Sequence, residues 1–274
     1  MNALTQRQGW LAQLELGYQS RGDKTRLVHS KRQGPLAVQR AFYPEGDVCH
    51  TYLLHPPGGV VAGDQLNIEL AVDTAARVLL TTPGATKFYR SEGLKSHLKQ
   101  TLRVSGRGSL EWMPLENIFF NQTQCRIDTE VLLDEEAQFI GWEINCFGRP
   151  SNCETFSDGS IWSQMRIYRA GAPVLFDRFA TQGAEMIDST VGLRGVSGHS
   201  IMVATLADLE VVEAVQSLLQ SNPLAGATHF DGMLVVRTIS EQSHEVLALF
   251  QQVWRLVRPA VNGLEACTPR IWAT

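Results

Sequence analysis

The segment that first suggests ligand chemistry is His55-Pro-Pro-Gly-Gly-Val-Val-Ala-Gly-Asp64. Phosphate cradles are made from glycine-rich turns whose backbone N–H groups face the anion where a helix begins. Here no Gly-Lys-Ser/Thr close follows, and the next residues, Leu66-Asn-Ile-Glu-Leu-Ala-Val72, read as a strand. Nucleotide binding is therefore not expected. Gly58, Gly59 and Gly63 are expected instead to supply positive φ and close backbone approach in a compact turn, with Pro56 and Pro57 stiffening its entry. Asp64 closes that turn and has two readings. Its carboxylate could cap nearby backbone N–H groups or point into an interior passage.

Two other segments carry the residue types of catalysis. Gly195-Val-Ser197-Gly-His199-Ser200 has a serine near a histidine, but it is not Gly-x-Ser-x-Gly and lacks the strand-to-helix context of a nucleophile elbow. Asp134-Glu135-Glu136 could suggest glycoside chemistry, although three adjacent acids more often mark a solvated turn. Cys49, Cys125, Cys146, Cys153 and Cys267 form no Cys-x-x-Cys pair, and their odd number and scatter argue for reduced thiols over disulfides or structural zinc. Cys49, His50 and His55 could bind a borderline metal. Strand alternation, however, puts Cys49 and His50 on opposite faces, so a packed cysteine and a hydrogen-bonded histidine are expected. Lys87, Tyr89 and Arg90 mix charge with aromatics in a way that suits a protein interface or an ordinary strand edge.

These side chains must be held by strands for most of the chain. From about residue 11 to 178, short segments such as Leu11–Gly17, Thr25–His29, Leu36–Arg40, Thr51–Leu54, Arg77–Thr82, Lys99–Val104, Cys125–Val131 and Gln138–Ile144 are broken at short intervals by Gly, Pro, Asn or Asp. Antiparallel sandwiches and solenoid-like stacks give the same local signal, and no fixed repeat period is present. Further on, Asp208–Gln220 carries apolar residues at helical spacing and ends at Asn222-Pro223. Ser240–Val257 reads as a second helix, with Ser240 as N-cap and Pro259 beyond its end. Gly232–Thr238 between them reads as a buried strand. The expected fold is mainly β, a single domain over 1–274 with a β-rich part (1–205) and a helix-containing part (206–274).

The chain has 274 residues, 44% hydrophobic and 19% charged, with a net charge of −4 from 24 basic and 28 acidic residues. That is ordinary globular composition, with no electrostatic drive toward nucleic acid or anionic lipid. No apolar run is long enough to span a bilayer and the start lacks a secretory pattern, so a cytoplasmic protein is expected.

The glycine-rich string belongs to a longer pattern. It is preceded by Gly34-Pro35-Leu36, Gln39-Arg40, Tyr43-Pro44-Glu45 and Cys49-His50-Thr51-Tyr52. It is followed by Leu80–Ser91, Trp112–Glu116, Phe147-Gly148-Arg149-Pro150 and the tail Pro269-Arg270-Ile271-Trp272. These blocks, in this order, resemble the UreD/UreH family of urease accessory proteins, with small departures at Ala62 and Thr268. The resemblance implies many short strands in stacked, β-helix-like sheets with two α-helices in the C-terminal third. It implies a scaffold, not an enzyme, that works with UreF, the GTPase UreG and the urease apoprotein in nickel insertion. No tightly bound cofactor is implied, only nickel in transit through an internal passage. By the same resemblance Asp64, Glu143 and Asp177 are candidate carboxylates of that passage, while His55, Gly58, Gly59, Gly63 and Arg90 are motif positions. A carboxylate-lined route suits a divalent ion because spaced oxygen ligands admit it without the tight grip of thiolates or imidazoles. A β-rich hydrolase and a small-ligand-binding module are the alternatives.

Overall fold

A computed structural model describes residues 9–273. A hairpin of β1 (Leu11–Arg21) and β2 (Lys24–Gln33) and a short β3 (Ala37–Val38) come first. The chain then winds through β4 (Cys49–Leu54), β5 (Gln65–Val72), β6 (Arg77–Thr81), β7 (Thr86–Phe88), β8 (Ser96–Val104) and β9 (Ser109–Met113). It continues through β10 (Asn117–Phe119), β11 (Gln124–Leu133), β12 (Gln138–Phe147), β13 (Ser160–Arg169) and β14 (Ala172–Gln182). Then follow helix α1 (Glu185–Asp188), β15 (Gly198–Thr205), α2 (Leu209–Leu219), β16 (Ala225–Phe230), β17 (Met233–Ile239) and α3 (Ser243–Asn262).

Successive strands alternate between two sheets, so the middle of the chain is a β-solenoid. The first sheet has the order β14-β13-β11-β8-β5-β1-β2, and its central strands from β13 to β1 run parallel. The second has the order β16-β17-β15-β12-β9-β6-β4-β3, parallel from β12 to β4 and antiparallel where β15, β17 and β16 extend it. In the first sheet Gln65 lies beside His97, His97 beside Arg126 and Arg126 beside Trp162, unequal steps that explain why the sequence carries no repeat period.

Alternation decides which face each strand buries. Ala12, Leu14, Leu16 and Tyr18 of β1, with Leu66, Ile68, Leu70 and Val72 of β5, point into the core between the sheets. A second core lies outside the second sheet, where Ile140, Trp142 and Ile144 of β12 meet Phe250, Val253, Trp254 and Val257 of α3. β12 is therefore buried on both faces, without a break from Phe139 to Phe147.

The helical part differs from expectation in three ways. A third, four-residue helix stands at Glu185–Asp188, too short to leave a periodic pattern. Helix α3 starts at Ser243 with Gln242 as N-cap; Ser240 Oγ instead accepts from the Gln242 N–H at 3.0 Å. Pro259 lies inside α3, whose last turn runs to Asn262 and is closed by Gly263 at φ 66. Proline's missing donor matters little so close to a helix end that is closed by the Gly263 N–H bond to the Pro259 carbonyl. Six strands match none of the segments read as strands from the sequence: β7, β10, β13 and β14, then β15, which follows directly on Ser197, and β16.

Candidate functional site

A polar register row interrupts the largely apolar interior. On the first sheet Gln100, Thr129, Met165 and Asp177 are lateral neighbours on β8, β11, β13 and β14. On the second sheet Glu143, Ile201 and Arg237 are lateral neighbours on β12, β15 and β17. Apolar flanking positions such as Leu98, Leu102, Ile127, Val131 and Ile167 show that these polar groups occupy sites meant for hydrophobes. Buried polar groups without partners cost free energy, so each must be satisfied. Gln100 Nε2 donates to Thr129 Oγ1 at 2.9 Å. Glu143 Oε1 accepts from Asn145 Nδ2 at 2.7 Å and, across the gap between sheets, from Ser163 Oγ at 2.6 Å. Asn117 Nδ2 donates in turn to Asn145 Oδ1 at 3.1 Å.

At one end this lane opens into a cavity of about 180 Å³, lined by Gln100, Thr129 and Glu143 on the inside and by His55, Gly58 and Lys87 toward the surface. Burial raises the Glu143 carboxyl above the ordinary carboxylate range, and the charge of Asp177 adds to the rise while Asn145 and Ser163 oppose it. At the other end Asp177 Oδ1 accepts from Arg237 Nη2 at 2.8 Å and from Arg237 Nε at 3.2 Å. Beside that pair stands His199, whose buried Nδ1 has no hydrogen-bond partner among the described residues. Burial lowers the pKa of His199; the Asp177 charge opposes that fall and the Arg237 charge adds to it.

The motif residues build the cavity mouth. Gly59 approaches the next coil so closely that a Cβ there would lie 2.2 Å from the Tyr89 ring and 2.9 Å from the Lys87 carbonyl oxygen. Val60 then pairs with that coil, donating to Lys87 O at 2.7 Å and accepting from Tyr89 N at 2.9 Å. Gly63 adopts φ +82 against Gly9. Asp64 ends the loop, its Oδ1 accepting from Trp10 N at 2.8 Å and its Oδ2 from Val61 N at 3.0 Å. Of the two readings of Asp64, capping is the one observed, and the residue is not part of the cavity wall. Lys87 is exposed on β7, and Arg90 is exposed two residues past its end. Replacing Asp64 by alanine leaves two main-chain donors unserved and should cost about 2–3 kcal/mol, since hydrogen bonds to a charged group contribute about 1.5–3 kcal/mol. Urea unfolding of Asp64→Ala beside Asp64→Asn checks this; equal midpoints for wild type and alanine variant would refute the capping role.

The structure thus brings Glu143 and Asp177 into one lane and leaves Asp64 apart from them, at the mouth loop. Gln100, Thr129, Ser163 and Arg237 were not singled out in the sequence, and His199 only as part of the Ser197 segment, although a signal was there. Ser96–Val104 buries Leu98, Leu102 and Val104 on the face where Gln100 also sits, a break in alternation that marks a polar group in a core position. Among the other flagged groups, Cys49 and His50 have protein partners, while the buried Ser197 Oγ has none among the described residues. Cys49 is buried with its Sγ 3.8 Å from Thr51 Oγ1, and burial raises its thiol pKa. His50 Nε2 lies 2.6 Å from Glu45 Oε1. Asp134, Glu135 and Glu136 occupy an exposed turn.

A further polar cluster lies on the opposite face of the second sheet. Arg258 of α3, 0% exposed, donates to Glu111 of β9 at 2.9 and 3.0 Å and to both Glu45 oxygens at 2.6 and 2.7 Å. Its Nη1 also reaches the Glu265 carbonyl, while Trp254 Nε1 donates to Glu111 at 2.6 Å. Trp272, packed on Trp142 and Trp254, donates to Thr81 Oγ1 at 2.8 Å and seats the C-terminal tail over the same helix.

The solenoid interior carries spaced oxygen groups, and among its described residues no group of three or more His, Cys, Asp or Glu could hold a metal ion. Residues 11–273 match the family model described as UreD urease accessory protein, and the chain belongs to that family. It is similar to the urease accessory protein UreD of Aliivibrio fischeri (strain ATCC 700601 / ES114), 43% identical over 286 residues that cover 98% of each chain. It is likewise similar to the UreD of Alcanivorax borkumensis, 43% identical over 97% of this chain and 93% of that one. The UreD of Escherichia coli is 41% identical over 97% and 98%. Among the described residues no helix is long and apolar enough to cross a membrane.

Proposed function

We propose that the chain is a non-catalytic scaffold of the cytoplasm that docks on the urease apoprotein with UreF and, through UreF, the GTPase UreG, and that nickel on its way to the urease active site passes between its two sheets. The observation that carries this reading is the polar lane from Gln100 and Thr129 through Glu143 to Asp177 in a largely apolar interior. Burying such groups costs stability that an apolar row would not, which fits a role for them in function. Nickel is cargo here, and Glu143 and Asp177 would offer it one carboxylate at a time. Single carboxylates bind weakly, as transit requires. Asp64, with Gly59 and Gly63, would serve by holding the mouth loop.

Removing the gene from a urease-positive host should leave urease protein present, nickel-poor and inactive, with activity restored by the wild-type chain. Affinity-tagged chain should carry urease subunits and UreF through purification. Full urease activity in the deletion strain would end this reading.

A further inference from the structure

We propose that Asp177 and His199 form an exit station for a divalent cation at the sheet edge, and that Arg237 is the gate that keeps it closed. The proposal rests on the passage reading above and adds the residue that controls it. Three features of the fold support it.

The first is the position of the ion pair. Asp177 belongs to β14 at the edge of the first sheet, while Arg237 belongs to β17 of the second, so their contact spans the gap at the end of the polar row. Both guanidinium contacts fall on one oxygen, Oδ1, at 2.8 and 3.2 Å. A cation moving along the row from Glu143 would meet the Asp177 carboxylate already occupied by a positive group.

The second is the looseness of that occupation. The Arg237 side chain is 43% exposed and that of Asp177 16%. Solvent screens such a pair, and a long arginine side chain can swing outward without moving the backbone. Arg237 also borders a surface groove of about 370 Å³, shared with His199, Arg194 and Met186, into which it can turn.

The third is His199. Its ring stacks on Phe179 at 5.1 Å, and Phe179 stacks on Phe147, Phe147 on Phe119 and Phe119 on Phe88 at 4.8, 5.5 and 4.9 Å. This aromatic column fixes the imidazole, yet its buried Nδ1 has no protein partner. A held, unsatisfied ring nitrogen is costly as structure and useful as a ligand. Phe179 lies two residues from Asp177 on β14, and the His199 ring shares a groove with Arg237, which places it beside the pair. Nickel is a borderline ion that favours imidazole over oxygen, so a carboxylate–imidazole pair would draw it from the carboxylate lane. With only two protein ligands the ion would still leave.

The test uses the full chain and Ni²⁺ alone, titrated against a chromophoric chelator, with the His199 ring signals followed by NMR. Arg237→Gln should bind Ni²⁺ about tenfold more tightly than wild type, because both the competing partner and the like-charge repulsion are gone. Arg237→Lys, which keeps the charge but loses the fork, should fall between them. Adding His199→Phe, which preserves the stack, or Asp177→Asn to Arg237→Gln should abolish the gain. Broadening of His199 by Ni²⁺ should appear in Arg237→Gln and at lower metal excess than in wild type. Unchanged affinity in Arg237→Gln and Arg237→Lys, or a gain that survives His199→Phe, would overturn the gate. Nickel content of urease matured with Glu143→Gln separates the two ideas: a normal load refutes the passage itself, whereas a reduced load with no Arg237 effect refutes only the gate.

Discussion

Arg258→Ala will lose about 3–5 kcal/mol of stability, the usual consequence of removing one partner from a buried ion pair. Arg258 is fully buried and its guanidinium serves two carboxylates, Glu45 and Glu111, as well as the Glu265 carbonyl. Alanine would strand both carboxylates and open a void beneath Trp254. Against the 5–15 kcal/mol that holds ordinary domains together, this is a large fraction. The pH dependence of the loss has a definite sign. Burial alone would raise the Glu45 pKa, but hydrogen bonds from His50 and Arg258 outweigh it and hold that carboxyl below its ordinary value. Its contribution is present above the unfolded pKa and is lost as pH falls through the folded one. Glu111 is the opposite case. Burial raises its pKa, with Arg258 pulling against the rise, so its contribution falls as pH climbs from the unfolded value through the raised one. Without Arg258 both acids have raised pKa values, and the penalty should be larger at pH 8 than at pH 5. Chemical unfolding followed by tryptophan fluorescence, with Trp254 as the local reporter, measures it. A loss under about 1 kcal/mol at pH 8 would mean the cluster is not the anchor of α3.

Glu143→Gln will separate stability from function. Glutamine keeps an oxygen for Asn145 and Ser163 and removes only the charge. Because burial raises the Glu143 pKa, the wild-type residue costs stability as pH rises from its unfolded value through the folded one. The variant escapes that cost, so it should melt higher by about 2–4 °C at pH 7.5, which is roughly 1 kcal/mol in a chain of this size, and by less near pH 5. Urease matured with it should nonetheless carry several-fold less nickel while still co-purifying with the chain. A variant that melts lower at pH 7.5 would mean that the carboxylate is structural. This pattern of a stabilised, inactive variant is what a strained functional group produces.

Much of the β architecture was legible because alternation is local. Leu66-Asn-Ile-Glu-Leu-Ala-Val72 declares a strand with one buried face, and the whole of β5 buries alternate residues. The helix at Leu209–Leu219 was equally open to reading, with Asp208 capping two of its N–H groups. Helix α1 and the inward extension of α3 past Pro259 were not, since four residues carry no period and a proline normally ends the pattern.

The sequence by itself determined the family, through blocks kept in order, and the strand faces, through residue spacing. It also marked the mouth loop, where glycine conformations and an aspartate cap are set by residues close together in the chain. Only the tertiary structure decided which of the carboxylates share a site. Gln100, Thr129, Met165 and Asp177 become neighbours through the register of four strands on unequal coils, and no local pattern encodes that register. The Glu45–Arg258 contact joins residues 213 apart. Asp64 and Glu143 look alike as text, but one closes a loop on main-chain donors and the other faces a cavity. Which environment a carboxylate meets is settled by the coils stacked above and below it, and with that environment its proton affinity and its chemistry.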